Sequence, residues 1–144
     1  MKTVRDILNT KGHDVWCIGV GNTVFEALRH MAEKEIGALV VMDGPRLAGI
    51  ISERDYARKI VLLGRTSPNT LVKEIMTSHV AYTHPEQSIE ECMAIMTDKR
   101  IRHLPVLEGD QLVGIISIGD IVKDIISEQE FMIQQLEQYI SGSR

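Results

Sequence analysis

The spacing of apolar residues changes along the chain between two periods, and the same succession occurs twice. In each half, a short extended segment at 15–18 or 80–83 precedes apolar residues that recur every three or four positions. This order predicts a strand followed by an amphipathic helix. Residues 22–23 and 87–88 are Asn-Thr and Gln-Ser, whose side chains favour a helix N-terminus. We therefore expect the first helix of each half to begin at these pairs.

Two apolar runs separated by turn residues follow each expected helix. In the first half the runs are 38–42 and 47–51, with Asp-Gly-Pro between them. Such a pattern predicts a β-hairpin. A second helix is expected to begin at Ser52 in the first half and at Ser117 in the second. Each half therefore has the predicted order β-α-β-β-α.

An internal repeat explains this duplicated pattern. The segment 47–55, LAGIISERD, recurs as 112–120, LVGIISIGD. We divide the chain into a first repeat at 1–66, a second at 67–126 and a C-terminal helix extension at 127–144. Each repeat has about 60 residues, too few to bury a full core alone, so the two repeats should pack on one another.

The apolar face of the last expected helix continues past the end of the second repeat, as far as Ile140. This face would either pack back on its own domain or form an interface between subunits. Because the extension has no counterpart in the first repeat that could cover it, we expect a homodimer.

Composition excludes several classes of protein. The net charge of -4 provides no basic field for nucleic acid. The two cysteines form no disulfide framework, and the five histidines lack metal-ligand spacing, so neither a disulfide scaffold nor a metal site is expected. The sequence shows no secretory signal and no apolar run of about 18 residues, so we expect a cytoplasmic protein with no membrane segment.

The candidate chemistry lies where the hairpins end. Ser52 and Ser117 end a strand and begin a helix, so free backbone N–H groups at these points favour a phosphate. Asp55 and Asp120, three residues later, could accept the hydroxyls of a ribose. The same Ser-x-x-Asp spacing is also a capping box, in which the Asp only returns to the Ser backbone N–H. The residues alone leave both interpretations open.

The sequence resembles the cystathionine-β-synthase (CBS) domains, and specifically the tandem pair of such domains that is called a Bateman module. The resemblance rests on the two Ser-x-x-Asp endings, the segment 101–106 (IRHLPV) and the β-α-β-β-α order. The resemblance covers nearly all of 4–126. It implies an α/β (α+β) fold whose repeats are related by a pseudo-two-fold axis. It also implies binding of adenosyl compounds such as AMP, ADP, ATP, NAD or S-adenosylmethionine in the cleft between repeats. Such modules usually regulate a partner protein, and we expect no catalytic residue and no catalytic cofactor.

The resemblance further implies two ligand sites, each built from both repeats. The first joins Ser52 and Asp55 to Val80, Ala81, Ile101, Arg102 and His103. The second joins Ser117 and Asp120 to Lys11, Trp16, Cys17, Gly37 and Ala38, with Ile115 and Arg54 beside these sites. The cations Arg102 and His103 predict that the first site holds phosphates better. The alternative function is a structural or dimerisation module that binds no ligand.

Overall fold

The computed structural model describes residues 2–141. Helix α1 (Val4–Lys11) precedes β1 (Cys17–Gly19), α2 (Val24–Lys34), β2 (Ala38–Asp43), β3 (Arg46–Ser52) and α3 (Glu53–Tyr56), which continues as a π-helical turn, Ala57–Val61. A 3-10 turn (Ser67–Asn69) and α4 (Val72–Ile75) lead to α5 (Ile89–Lys99), β4 (His103–Glu108), β5 (Gln111–Ser117) and α6 (Ile118–Ser141). The tandem α/β fold with a C-terminal helical extension is confirmed.

Local side-chain chemistry determines where the first helix of each repeat begins. Thr23 is the N-cap of α2, and its side chain accepts a hydrogen bond from the amide three residues later at 3.1 Å. Ser88 caps α5 in the same way at 3.2 Å. Both caps lie in the residue pairs that the sequence analysis predicted. A short hydroxyl side chain caps a helix because it accepts a hydrogen bond from an amide that has no partner within the helix.

Both predicted hairpins are present as antiparallel pairs, β2 with β3 and β4 with β5. Strand β1 adds to the first hairpin in parallel with β2, whereas the expected strand at 80–83 is reduced to one bridge between Thr83 and Val106. In the first repeat, the Val40 amide donates to the Trp16 carbonyl at 3.2 Å. Pro105 holds the position of Val40 in the second repeat and has no N–H, so this bond cannot form there.

The two hydrophobic cores exchange their N-terminal helices. Helix α1 packs into the core of the second repeat, which consists of Val4, Ile7, Leu8, Ile89, Cys92, Met96, Leu104, Val106, Ile116 and Ile121. Helix α4 packs into the core of the first repeat, together with Val24, Ala27, Met31, Leu39, Val41, Ile51 and Ile60. Each core therefore contains the helix that begins the other repeat. This exchange holds the two repeats together.

The apolar face of α6 packs on its own chain only at the start of the helix. Ile121 is buried in the second core, and Ile118 and Ile125 pack against that core. Every residue at 126–141 is exposed, and Ile140 is 82% exposed. The interpretation in which this face covers its own domain therefore holds for the start of the helix and is wrong for residues 126–141. None of the described helices is both long and apolar enough to cross a membrane.

Candidate functional site

The first Ser-x-x-Asp turn lies between β3 and α3. The Ser52 amide donates to Asp55 Oδ2 at 3.0 Å, and the Asp55 amide donates to Ser52 Oγ at 3.2 Å. These reciprocal bonds form a complete capping box. The Asp55 side chain is only 14% exposed, so the box fixes a half-buried carboxylate at the start of α3.

The second Ser-x-x-Asp turn repeats this arrangement between β5 and α6. The Ser117 amide donates to Asp120 Oδ2 at 2.8 Å, and the Asp120 amide donates to Ser117 Oγ at 3.1 Å. The Asp120 side chain is 22% exposed. The sequence left open whether each Asp only caps its helix, and the described chain shows a capping box in both repeats. The box fixes the position in which each carboxylate would meet a ligand.

A lysine contacts each carboxylate and one backbone carbonyl. Lys11 Nζ lies 2.7 Å from Asp120 Oδ2 and 2.9 Å from the Ile115 oxygen. In the first repeat, Lys59 Nζ lies 3.5 Å from Asp55 Oδ1 and donates to the Ile75 oxygen at 2.9 Å. The sequence analysis grouped Lys11 with Asp120 but missed Lys59. The four-residue spacing between Asp55 and Lys59 on one helical stretch was the available signal.

The two lysines differ in where they come from. Lys59 belongs to the same helical stretch as Asp55 and lies one turn away from it. Lys11 is the last residue of α1, more than 100 positions before Asp120, and it reaches α6 because α1 packs into the second core. The carboxylate of the second repeat is therefore connected to the position of α1, and that of the first repeat is not.

Burial and neighbouring charges shift two pKa values in the second repeat. Partial burial raises the pKa of Asp120, but the hydrogen bonds from Lys11 and from the Ser117 amide outweigh it, and the pKa is below its usual value. Burial of the imidazole lowers the pKa of His103, and the charges of Lys11 and Arg102 act in the same direction against that of Asp120. At neutral pH, Asp120 is therefore ionised and His103 is uncharged.

The backbone register places Arg102 and His103, which the sequence analysis grouped with Asp55, beside the Asp120 turn. His103 lies directly opposite Ser117 in the β4–β5 pair, and the Ile118 amide donates to the Arg102 oxygen at 2.9 Å. Both residues therefore border the Asp120 turn of their own repeat, because the start of one hairpin strand meets the end of the other. The charge of Asp120 also acts on the His103 imidazole. The grouping of both residues with Asp55 stays a prediction.

Gly37 and Ala38 border the Asp55 turn of their own repeat, and their grouping with Asp120 stays a prediction. Ala38 is paired with Ser52, and the Glu53 amide donates to the Gly37 oxygen at 3.0 Å. A Cβ atom on Gly37 would lie 3.0 Å from a Glu53 side-chain oxygen, so this position favours the absence of a side chain.

Trp16 and Cys17 lie at the start of β1, and both are exposed. Lys34 Nζ lies 4.3 Å from the centre of the Trp16 ring, within the range of a cation–π contact. The His30 ring meets the same indole edge to face at 6.1 Å between centroids. The indole expected to contact a base is therefore held by two side chains of α2.

The remaining candidates lie in different surroundings. Ala81 and Ile101 pack against the core of the second repeat, and Arg54 is exposed on α3. Val80 lines an open groove of about 680 Å³ at the turn ends of the two hairpins. Neither Asp55 nor Asp120 lines this groove. The roles of these remaining candidates as ligand contacts stay predictions.

Comparisons with known proteins agree with this geometry. The family profile described as the CBS domain matches residues 4–62 and 72–127. The CBS domain-containing protein CBSX3, mitochondrial, of Arabidopsis thaliana is 39% identical over 97% of this chain and 72% of its own length. The CBS domain-containing protein YhcV of Bacillus subtilis is 30% identical over 90% of this chain and 89% of its own length.

Solved structures show the same architecture. A signal-transduction protein with CBS domains from Burkholderia ambifaria has a TM-score of 0.87 and 53% identity, over 89% of this chain and 96% of that one. A CBS domain pair was solved with 5-methylthioadenosine and S-adenosyl-L-methionine. It has a TM-score of 0.79 over 89% of this chain and 98% of that one. Its sequence identity is 24%, so this likeness shows the fold alone. Two profile matches, covering most of the sequence, establish that the chain belongs to the CBS domain family and contains a tandem pair of CBS domains.

Proposed function

We propose that the chain is a regulatory module that binds an adenosyl ligand between its two repeats and signals the bound state to a partner protein. The candidate ligands are AMP, ADP, ATP, NAD and S-adenosylmethionine. Asp55 and Asp120 act as ribose acceptors, one in each site. The module has no catalytic role in this proposal, because the candidate residues hold and recognise a ligand without providing a nucleophile or a metal.

The duplicated carboxylate–lysine arrangement is the observation that supports this proposal. Asp55 and Asp120 are partly buried carboxyl groups at equivalent turns, each fixed by a capping box and approached by a lysine. A capping box alone requires neither the lysine nor partial burial of the carboxylate. Paired sites of this kind suit a ligand with neighbouring hydroxyls for the carboxylate and an anionic group for the lysine.

The β4–β5 register supports a phosphate preference at the second site. Lys11, Arg102 and His103 all lie at or beside the Asp120 turn. We propose that phosphate groups of the ligand face this cluster, so that the second site prefers AMP to adenosine. The described cation beside Asp55 is Lys59.

A panel of ligands tests the proposal directly. Thermal shift and calorimetry with AMP, ADP, ATP, NAD and S-adenosylmethionine should identify at least one binder. A ligand at 100 times its Kd should stabilise the native state by about 2.7 kcal/mol. The matched control is the double variant Asp55→Ala/Asp120→Ala, which should lose the shift. An equal shift in this control would assign binding to another part of the chain.

A structural module without a ligand is the second candidate, and the completeness of both capping boxes favours it. Each cap satisfies the Ser amide and the Asp amide from within the chain. In that case Asp55→Ala and Asp120→Ala would lower the free energy of unfolding by about 1 kcal/mol each. No member of the ligand panel would then shift the melting temperature of the wild-type chain.

We further propose that the chain works as a homodimer in the cytoplasm. The described part of its apolar helix extension, 127–141, is exposed, which supports association with a second surface. Sedimentation at micromolar concentration should give twice the chain mass of 16.2 kDa. A mass of one chain would contradict the assembly and leave the ligand proposal standing.

A further inference from the structure

One line of side chains along α6 is exposed from its second turn to its last. These residues, which we call the seam, are Val122, Ile126, Gln129, Ile133, Leu136 and Ile140. Its apolar members are between 46% and 82% exposed. Successive members lie alternately four and three residues apart, so the seam runs along one side of the helix for about 27 Å at 1.5 Å per residue.

Alternating steps of four and three define a heptad pattern. Ile126, Ile133 and Ile140 then occupy the a positions, and Val122, Gln129 and Leu136 occupy the d positions. Isoleucine at a together with leucine at d favours two parallel strands. The seam has isoleucine at all three a positions and leucine at one of its three d positions. The seam therefore has the composition of one strand of a coiled coil, whereas a helix that only covers its own domain needs no regular heptad.

The exposed part of α6 also needs a partner to remain helical. Residues 127–141 are all exposed and form four helical turns beyond the second core. Isolated helices of about 12 to 15 residues are marginal in water. The segment also has Ile133 and Ile140, whose branched side chains lower helix propensity. A surface that covers the seam would provide the missing stabilisation.

Gln129 identifies a second copy of this chain as that surface. It is the single polar member of the seam, and its amide has both a donor and an acceptor. In a parallel pair, Gln129 meets its own counterpart, and the two amides satisfy one another. A partner with an apolar residue at this point would leave the amide buried without a hydrogen bond, which is costly.

The flanking charges bring no like charges together in the parallel orientation. In a parallel pair, Glu130 and Glu137 face apolar residues of the other strand. In the antiparallel register that keeps the seam in contact, Gln129 meets Ile133, and Glu130 meets its own counterpart. That register also pairs Lys123 with Glu137 twice, and exposed charge pairs of either sign contribute little. The mismatch at Gln129 therefore decides the orientation.

We infer that α6 pairs with the α6 of a second copy through the seam, as a parallel two-stranded coiled coil. This inference deepens the assembly in the proposed function by naming its surface and its orientation. It makes no use of the ligand sites, so failure of ligand binding would leave it intact.

Charge substitution tests the surface. Ile133→Glu places two carboxylates in the middle of the coiled coil and should weaken the dimer at least about 100-fold in sedimentation experiments. Phe131→Glu is the matched control, because Phe131 is exposed on the opposite side of α6 and should keep the dimer. Position 133 is exposed, so neither variant disturbs a core. An Ile133→Glu variant that dimerises as tightly as Phe131→Glu would overturn the inference.

Disulfide trapping tests the orientation, in a Cys17→Ser background that removes the exposed native thiol. Leu136→Cys should form a disulfide-linked dimer under mild oxidation, because parallel strands bring Leu136 beside its counterpart. Phe131→Cys should not. In an antiparallel pair Leu136 meets Ile126, so only the double variant Ile126→Cys/Leu136→Cys would become linked. That result, or a dimer that no seam cysteine can link, would overturn the parallel coiled coil.

Discussion

Replacing Lys11 with methionine tests the connection between α1 and the second carboxylate. Methionine keeps the length of the side chain and its helix propensity but removes the ammonium group. The substitution deletes the contacts at 2.7 Å to Asp120 and 2.9 Å to the Ile115 oxygen. Asp120 keeps its bond from the Ser117 amide, so the capping box remains.

The expected loss is modest but measurable. Hydrogen bonds to charged groups contribute about 1.5 to 3 kcal/mol. Solvent reduces this value here, because the Lys11 side chain is 31% exposed and the Asp120 side chain is 22% exposed. We expect the free energy of unfolding to fall by about 1 to 2 kcal/mol at neutral pH. The contact also lowers the pKa of Asp120, so its contribution should disappear as the pH falls below the usual aspartate value of about 3.9.

Urea unfolding of the wild type and the variant at pH 7 and pH 3 measures this difference. Lys59→Met is the matched control, because Lys59 approaches the equivalent carboxylate only to 3.5 Å and its side chain is 42% exposed. It should cost less than Lys11→Met, about 0 to 1 kcal/mol. The two variants should differ at pH 7 and converge at acid pH.

Two results would refute this reasoning. Equal losses for Lys11→Met and Lys59→Met would show that the shorter contact adds nothing. A loss that is the same at pH 3 as at pH 7 would show that Lys11 acts through packing and not through the charge of Asp120. A double-mutant cycle with Asp120→Asn separates the pairwise energy from either side effect, and it should give a coupling of about 1 kcal/mol.

Three further predictions concern the site and strand β3. AMP binding should take up protons at a pH around the usual imidazole pKa of about 6.5, because burial lowers the pKa of His103 and a phosphate would raise it again; calorimetry in buffers of different ionisation enthalpy should detect this uptake. Alanine at either candidate carboxylate should reduce the number of bound AMP molecules from two to one; an unchanged stoichiometry would contradict its role. Gly49→Ala should lower the free energy of unfolding by about 1 to 3 kcal/mol, because the added Cβ would lie 2.5 Å from the Thr77 oxygen. In the control variant Gly21→Ala, the added Cβ meets no atom within 4 Å, so the free energy of unfolding should change little.

Features that depend on nearby residues could be predicted from the sequence. The caps at Thr23 and Ser88 need only a hydroxyl before an apolar helix, and both were expected. The hairpins need only two apolar runs and a turn. The reduced strand at 80–83 was not expected. Pro105 has no amide N–H, and the consequence depends on which residue lies beside it in the sheet.

Features that depend on distant packing could not be predicted in this way. The pattern of α1 shows which face is apolar, but not that this face enters the core of the second repeat. The same limitation affected the site. Arg102 and His103 were assigned to Asp55, and the β4–β5 register places them beside the Asp120 turn. The resemblance indicated the family and the two carboxylates, whereas the neighbours of each carboxylate required the structure.

Helix α6 connects the second site to the seam. It carries Asp120 in its first turn and begins the seam at Val122, and Lys2, just before α1, pairs with Asp124 at 2.9 Å. A ligand that takes Asp120 from Lys11 would release one of the two lysines that hold α6. By reciprocal linkage, a ligand that changes the dimer dissociation constant must bind the dimer and the monomer with different affinities. We therefore expect saturating AMP to change that constant at least about fivefold in sedimentation experiments, and identical constants with and without AMP would show that the second site and the seam act independently.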